Sequence, residues 1–249
     1  MSWRKTALVA AAVLLAGQAD SESRPRIAII IDDLGYHLAA GKRAIALPGP
    51  VTFAVLPETP RGSELARLAH ENGKDVLLHL PLEAVNHIGA AEPGGMVLDM
   101  SRENFRATFA SAIAAVPHAI GVSSHRGSLL TRHPGHMAWL MKEIRTREDL
   151  FFIDSYTTHH SIALKLAAEE GVPATKRDVF LDHERSVEAV ERELERLKAK
   201  ARKRGHAIAI GHPFPETLEV LERELPLLEE QGFDLVRISD LLHAEWNRI

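Results

Sequence analysis

With 249 residues, 45% of them hydrophobic and 26% charged, and a mean hydropathy of -0.09, the chain has the composition of a globular protein of one or two domains, not of a disordered, collagen-like or polytopic membrane protein. A net charge of -4 and only 5% aromatic residues give no electrostatic or stacking footprint for nucleic acid. Zero Cys excludes disulfides, thiolate metal sites and thiol nucleophiles, so any metal must be held by the 14 His and by carboxylates.

In chain order, Arg4 and Lys5 precede an apolar run, Ala7 to Ala16, and the small residues Gly17 and Ala19 follow it. This is the pattern of a secretory signal over 1–19. The run falls short of the roughly 20 residues that cross a bilayer, so no stable membrane insertion is expected after cleavage. A Cys-free exported chain suits a periplasmic location. Residues 20–26 (DSESRPR) read as a linker and 27–249 as one domain.

From residue 27 onward, short branched or aliphatic runs alternate with amphipathic stretches, the signature of βα units with parallel strands. Strands are predicted at 27–31, 51–56, 75–80, 120–123, 150–153, 179–181, 206–210 and 234–238. The clearest helix spans 186–204, with Val187, Val190, Leu194 and Leu197 on one face, basic residues 198–204 favourable to its C-terminal dipole, and Gly205 as its stop. The fold class is therefore α/β, a barrel or distorted barrel.

Barrel enzymes carry their chemistry at the C-terminal ends of the strands. Those positions are polar here: Asp32-Asp33 after the first strand, His79 on the third, His125 after the fourth, Asp154 after the fifth, Asp182-His183 after the sixth and His212 after the seventh. Any one of them alone is a turn former, a helix cap or a packed imidazole; their convergence is the ligand chemistry of a divalent-metal hydrolase. Adjacent residues of a strand point to opposite faces, so one Asp is expected to bind metal while its neighbour acts as general base. Gly35 and Gly41-Lys42 imitate a phosphate loop with the wrong spacing, and Arg43 replaces the hydroxyl that would hold magnesium, which excludes a nucleotide. His133, His136, His159 and His160 read as surface or supporting residues.

The segments 27–35 (IAIIIDDLG), 77–83 (LLHLPLE), 121–131 (GVSSHRGSLLT), 150–158 (LFFIDSYTT) and 207–217 (AIAIGHPFPET), in this order across 26–242, resemble the divergent polysaccharide deacetylase family, a periplasmic branch related to carbohydrate esterases that remove acetyl groups from sugars. The resemblance implies a distorted (β/α) barrel of seven to eight mostly parallel strands and an Asp-His-His site for a divalent metal, zinc first. By position, Asp32 looks like the general base, Asp33 like the metal-binding Asp, His212 like the acid that protonates the leaving group, and Asp154 like the carboxylate that orients this acid. The wider superfamily takes both metal His from one His-x-x-x-His motif. Here His79 is followed by Glu83, so His125 is the candidate for the second ligand. Ser123-Ser124-His125-Arg126 also stands where relatives carry Asn-Asn-His-Met, a change expected to touch substrate contacts. The resulting expectation is a metal-dependent deacetylase acting on a polysaccharide or envelope glycan. The alternative is a non-catalytic periplasmic protein that keeps the barrel to bind a glycan or a partner in cell-wall turnover.

Overall fold

Five consecutive apolar residues, Ile27 to Ile31, are fully shielded from solvent and form the middle of a strand buried on both faces. The computed structural model describes residues 24–87, 92–147 and 150–246. The expected signal segment and residues 20–23 of the expected linker lie outside the described residues, whereas Arg26 of that linker already belongs to the first strand.

In chain order the elements are β1 (Arg26–Leu34), α1 (Leu38–Ile45), β2 (Thr52–Val55), α2 (Gly62–Glu71), β3 (Val76–Leu82), α3 (Arg102–Ala115), β4 (Ala119–Arg126), α4 (Pro134–Arg145), β5 (Phe151–Asp154), α5 (Ala163–Glu170), β6 (Ala174–Lys176), β7 (Val179–Phe180), α6 (Val187–Arg204), β8 (His206–Gly211), α7 (Pro215–Glu224), β9 (Asp234–Leu235) and α8 (Ile238–Trp246). Among the described residues no helix is long and apolar enough to cross a membrane. Every strand pairing is parallel, in the order β6-β5-β4-β3-β2-β1-β8-β7. β8 occupies one edge of β1 along 26–31, so β9 at 26–27 and β2 at 30–34 share the other edge in tandem.

The ring closes through a single segment that changes partners. β6 pairs with β5 and β7 with β8; between them the Arg177 N–H donates to Asp154 O (3.1 Å) while the next N–H, of Asp178, donates to Ile208 O (2.9 Å). The result is a distorted parallel barrel. β6 is a strand the sequence reading missed, because Ala174-Thr175-Lys176 is short, half-exposed and carries no apolar run. The predicted strand over 234–238 is likewise shortened: pairing stops at Leu235, and Ile238 opens α8.

Two apolar layers follow from the period of two along each strand. Ile27, Ile29 and Ile31 pack outward against Ala44, Leu65, Leu194 and Leu218 of the surrounding helices. Ala28, Ile30, Ala54, Leu77, Phe151, Ile153, Ile208 and Ile210 fill the barrel, where Ile238, Leu241 and Leu242 of α8 join them. Ser239, in the first turn of α8, donates through its hydroxyl to Asp75 Oδ2 (2.7 Å), just ahead of β3. α8 is thus the plug of the N-terminal end, leaving the C-terminal end for polar residues.

α6 follows its predicted limits. The Ser186 hydroxyl accepts the Ala189 N–H at its start, and Gly205 stops it with φ of 79°, a conformation that suits glycine.

Candidate metal centre at the barrel mouth

The same alternation that fills the barrel also selects the side chains at its mouth. Continuing Leu77 inward gives His79, and its register partners on β4 are Ser123 opposite His79 and His125 opposite Pro81. Continuing Ile208 and Ile210 gives His212, and continuing Phe180 gives Asp182. On β1 the inward series reaches Asp32. The pairing with β2 then slips between Ile31 and Leu34, and Asp33 takes a left-handed φ of 60° that Asp tolerates better than most residues. The two aspartates therefore do not diverge as a regular strand would require. Both reach His79 Nε2, Asp33 Oδ1 at 3.1 Å and Asp32 Oδ2 at 3.5 Å.

Asp33 Oδ1 also lies 2.9 Å from His125 Nδ1, and the two imidazole nitrogens are 3.2 Å apart. One donor atom from each of Asp33, His79 and His125 falls within 4.8 Å of the others. Asp33 Oδ1 is buried, and despite these short distances no hydrogen bond ends on it; Asp32 Oδ1 is equally buried and unpartnered. A carboxylate oxygen with two ring nitrogens crowded around it and no hydrogen bond is the arrangement a shared cation would satisfy. Two nitrogens and one oxygen are a donor set that suits zinc and its neighbours in the transition series.

Burial pushes Asp33 towards the neutral form, but the His125 and His79 rings outweigh it and hold its carboxyl well below the usual range. For Asp32 burial prevails, and its carboxyl lies above the ordinary value against the pull of His79 and His212. On the other side of the cleft, His212 Nε2 is 3.7 Å from Asp33 Oδ2, and its Nδ1 is 2.9 Å from Asp182 Oδ1. Asp182 has no solvent-exposed side-chain surface; its Oδ2 accepts the Thr217 hydroxyl (2.8 Å) and the His212 N–H (2.6 Å). Burial would lower the His212 pKa, but the contact with Asp182 raises it overall.

Asp154 does not hold this imidazole. It shares the outward face of Phe152, away from the barrel interior, where Oδ1 accepts the Tyr156 N–H (2.8 Å) and Oδ2 the Ser161 hydroxyl (2.6 Å). The carboxylate expected at Asp154 is supplied by Asp182. Ser123 and Ser124 also have structural partners: Ser123 Oγ meets His79 Nδ1 at 2.7 Å, and Ser124 Oγ accepts the Ser155 N–H at 3.0 Å. Of the other histidines, His136 is buried, not on the surface, and contacts Phe105 and Trp139, and His133 caps α4.

A cleft of about 480 Å³ opens over the site, lined by Asp33, His125, His212, Tyr36, Phe214 and Glu92 among others. Glu92, which the sequence reading missed, lies in a loop with no strand or helix pattern to mark it. Its Oε2 is 3.2 Å from His125 Nε2.

Residues 29–242 match the model of a family described as divergent polysaccharide deacetylase. Two curated relatives are an uncharacterized protein of Haemophilus influenzae, 36% identical over 90% of this chain and 79% of that one, and the uncharacterized protein YibQ of Escherichia coli K12, 34% identical over 88% and 67%. Among solved structures, an uncharacterized protein of Agrobacterium tumefaciens C58 superposes with a TM-score of 0.84 at 23% identity, over 88% of this chain and 89% of that one. The fold is also similar to that of a CE4 family pseudoenzyme from Bacillus anthracis, with a TM-score of 0.53 at 16% identity over 88% of this chain and 66% of the other. It is similar as well to that of the peptidoglycan deacetylase PdaC from Bacillus subtilis, with a TM-score of 0.51 at 15% identity over 91% and 94%.

Proposed function

The chain belongs to the divergent polysaccharide deacetylase family, and from that premise we propose that it is a metal-dependent hydrolase removing acetyl groups from a polysaccharide or cell-envelope glycan in the periplasm. Asp33, His79 and His125 would hold the metal, zinc in the first instance. The observation that carries the reading is the buried, unpartnered Asp33 Oδ1 between two imidazole nitrogens, with an imidazole–carboxylate pair across the same cleft. The location rests on the secretory pattern of residues 1–19.

A divalent ion held by Asp33, His79 and His125 would supply Lewis acidity, enough to polarise an acyl carbonyl and to bring the pKa of water from about 16 towards about 7. Asp32 is the base. Its burial makes it a stronger proton acceptor than an ordinary carboxylate, and its free Oδ1 takes the proton of the attacking water. His212 is the acid. With Nδ1 occupied by Asp182, it gives its Nε2 proton to the sugar nitrogen or oxygen as the bond to the acetyl carbon breaks, and acetate leaves. Asp182 fixes the ring and favours its protonated form; Asp154 fastens the turn after β5.

The test is elemental analysis of the protein from Asp20 onward, purified without chelator or affinity metal, beside His125→Ala, with acetate release measured from N-acetylated and O-acetylated oligosaccharides. One equivalent of zinc, lost in the variant, together with acetate release supports the proposal. No metal in either protein after incubation with divalent ions overturns it and favours a glycan-binding protein without hydrolysis.

A further inference from the structure

Residues 92–96, ahead of α3, run back beside the end of β3. On the return the Met96 N–H donates to Pro81 O and the Glu83 N–H donates to Met96 O, both at 2.9 Å. Immediately before this, Glu92-Pro93-Gly94-Gly95 makes a tight turn closed by Gly95 N–H to Glu92 O at 2.8 Å. Pro in its second position and Gly94 with φ of 67° in its third are what a type II turn demands. Space demands the glycine too, because a Cβ there would come within 2.8 Å of Pro57 Cγ.

This strap fixes Glu92 above the end of β4. One carboxylate oxygen lies 3.2 Å from His125 Nε2 and the other 2.8 Å from the Arg126 Nη2. His125 and Arg126 are consecutive, and a regular strand would send them to opposite faces. The left-handed φ of 56° at Arg126 breaks that alternation, so one carboxylate engages both.

We infer that Glu92 is a positioning residue: it engages the Nε2 edge of the His125 ring and so turns Nδ1 towards Asp33 and His79. A neutral imidazole has one N–H, and an acceptor at Nε2 leaves the lone pair on Nδ1. Nδ1 faces Asp33 Oδ1 and His79 Nε2, the point at which a shared cation would take its lone pair. Glu92 approaches the opposite edge of the ring, so it supports a metal ligand and does not itself become one. His79 is arranged the other way round, with Ser123 at Nδ1 and Nε2 turned to the cluster. The two ligands thus present different ring nitrogens to one point, and each needs its own partner outside it. The inference rests on the metal site proposed above for its consequence, though not for its geometry.

The decisive measurement is the nitrogen-15 spectrum of the His125 ring in the zinc-loaded protein, for wild type, Glu92→Ala and Glu92→Gln. Wild type is expected to show the proton on Nε2, protected from exchange. In Glu92→Ala this protection is lost, and in Glu92→Gln, which keeps an acceptor oxygen, it is partly retained. Zinc competition against a chromophoric chelator should then show affinity reduced by about 10- to 100-fold in Glu92→Ala and less in Glu92→Gln, with unchanged melting temperatures in the absence of metal. A wild-type ring protonated on Nδ1, or ring signals indifferent to both substitutions, overturns the inference. Failure of the wild type to take up zinc overturns the metal site instead, and the orientation of the His125 ring in crystals of wild type and Glu92→Ala then decides the role of Glu92.

Discussion

Asp33 joins Asp32 at one point because residue 33 is left-handed, a single dihedral that period-two reasoning has no means of anticipating. Asn also tolerates this conformation, so Asp33→Asn should fold normally and lose metal, checked by circular dichroism beside elemental analysis. Substituting His212 by Ala should instead leave metal content intact and reduce turnover by roughly 100- to 10,000-fold, the usual contribution of a general acid. Asp182 acts through that ring. Its carboxylate raises the His212 pKa against the opposing effect of burial, and a catalytic acid works only while protonated. The alkaline limb of kcat/KM should therefore lie above the ordinary imidazole value of about 6.5 and move to lower pH in Asp182→Asn. The same raised pKa means that the Asp182–His212 attraction favours the folded state most fully at low pH and is lost as pH rises through the folded-state value. His79, His125 and His212 were legible as strand-end residues. Asp154 was misjudged through analogy, although counting in twos from Phe152 already sends it outward and counting from Phe180 sends Asp182 inward.

Among the elements, α6 matched its predicted limits to within a residue, whereas β1 and β4 each run three residues further than their apolar runs. α6 has an apolar stripe, a serine cap and a glycine stop, each visible in the chain. Ser186→Ala should cost about 1 kcal/mol, measured by denaturant unfolding, since it leaves the Ala189 N–H without its acceptor. The poorly predicted elements are held by tertiary pairing: β6 exists because β5 offers its edge, and the strap carrying Glu92 is set by Met96 hydrogen bonds to residues 81 and 83. α8 lies between these cases, since its apolar residues are visible in the sequence but its place inside the barrel end is not. Leu241 is almost fully buried among Ala28, Ile30 and Ile208. Leu241→Ala should cost about 2–5 kcal/mol and lower the melting temperature, because no neighbour on a closed barrel wall can collapse into the space.

At the scale of the whole molecule, stability and loading are linked. A metal bound to the folded state alone at 100 times its Kd adds about 2.7 kcal/mol, so a chelator should lower the melting temperature of the wild type but not that of His125→Ala. Barrel architecture was readable from the rhythm of apolar runs, whereas the partner switch at Arg177–Asp178 that completes the ring was not, because it depends on two adjacent N–H groups donating to opposite neighbours. The uniform strand direction carries a practical meaning for handling the protein. β1 begins at Arg26 beside β9, so the described N-terminal end leaves from the side away from the cleft. A protein tethered through Arg24, at the start of that first strand, would present its open mouth outwards, free to meet a substrate as large as an intact polymer.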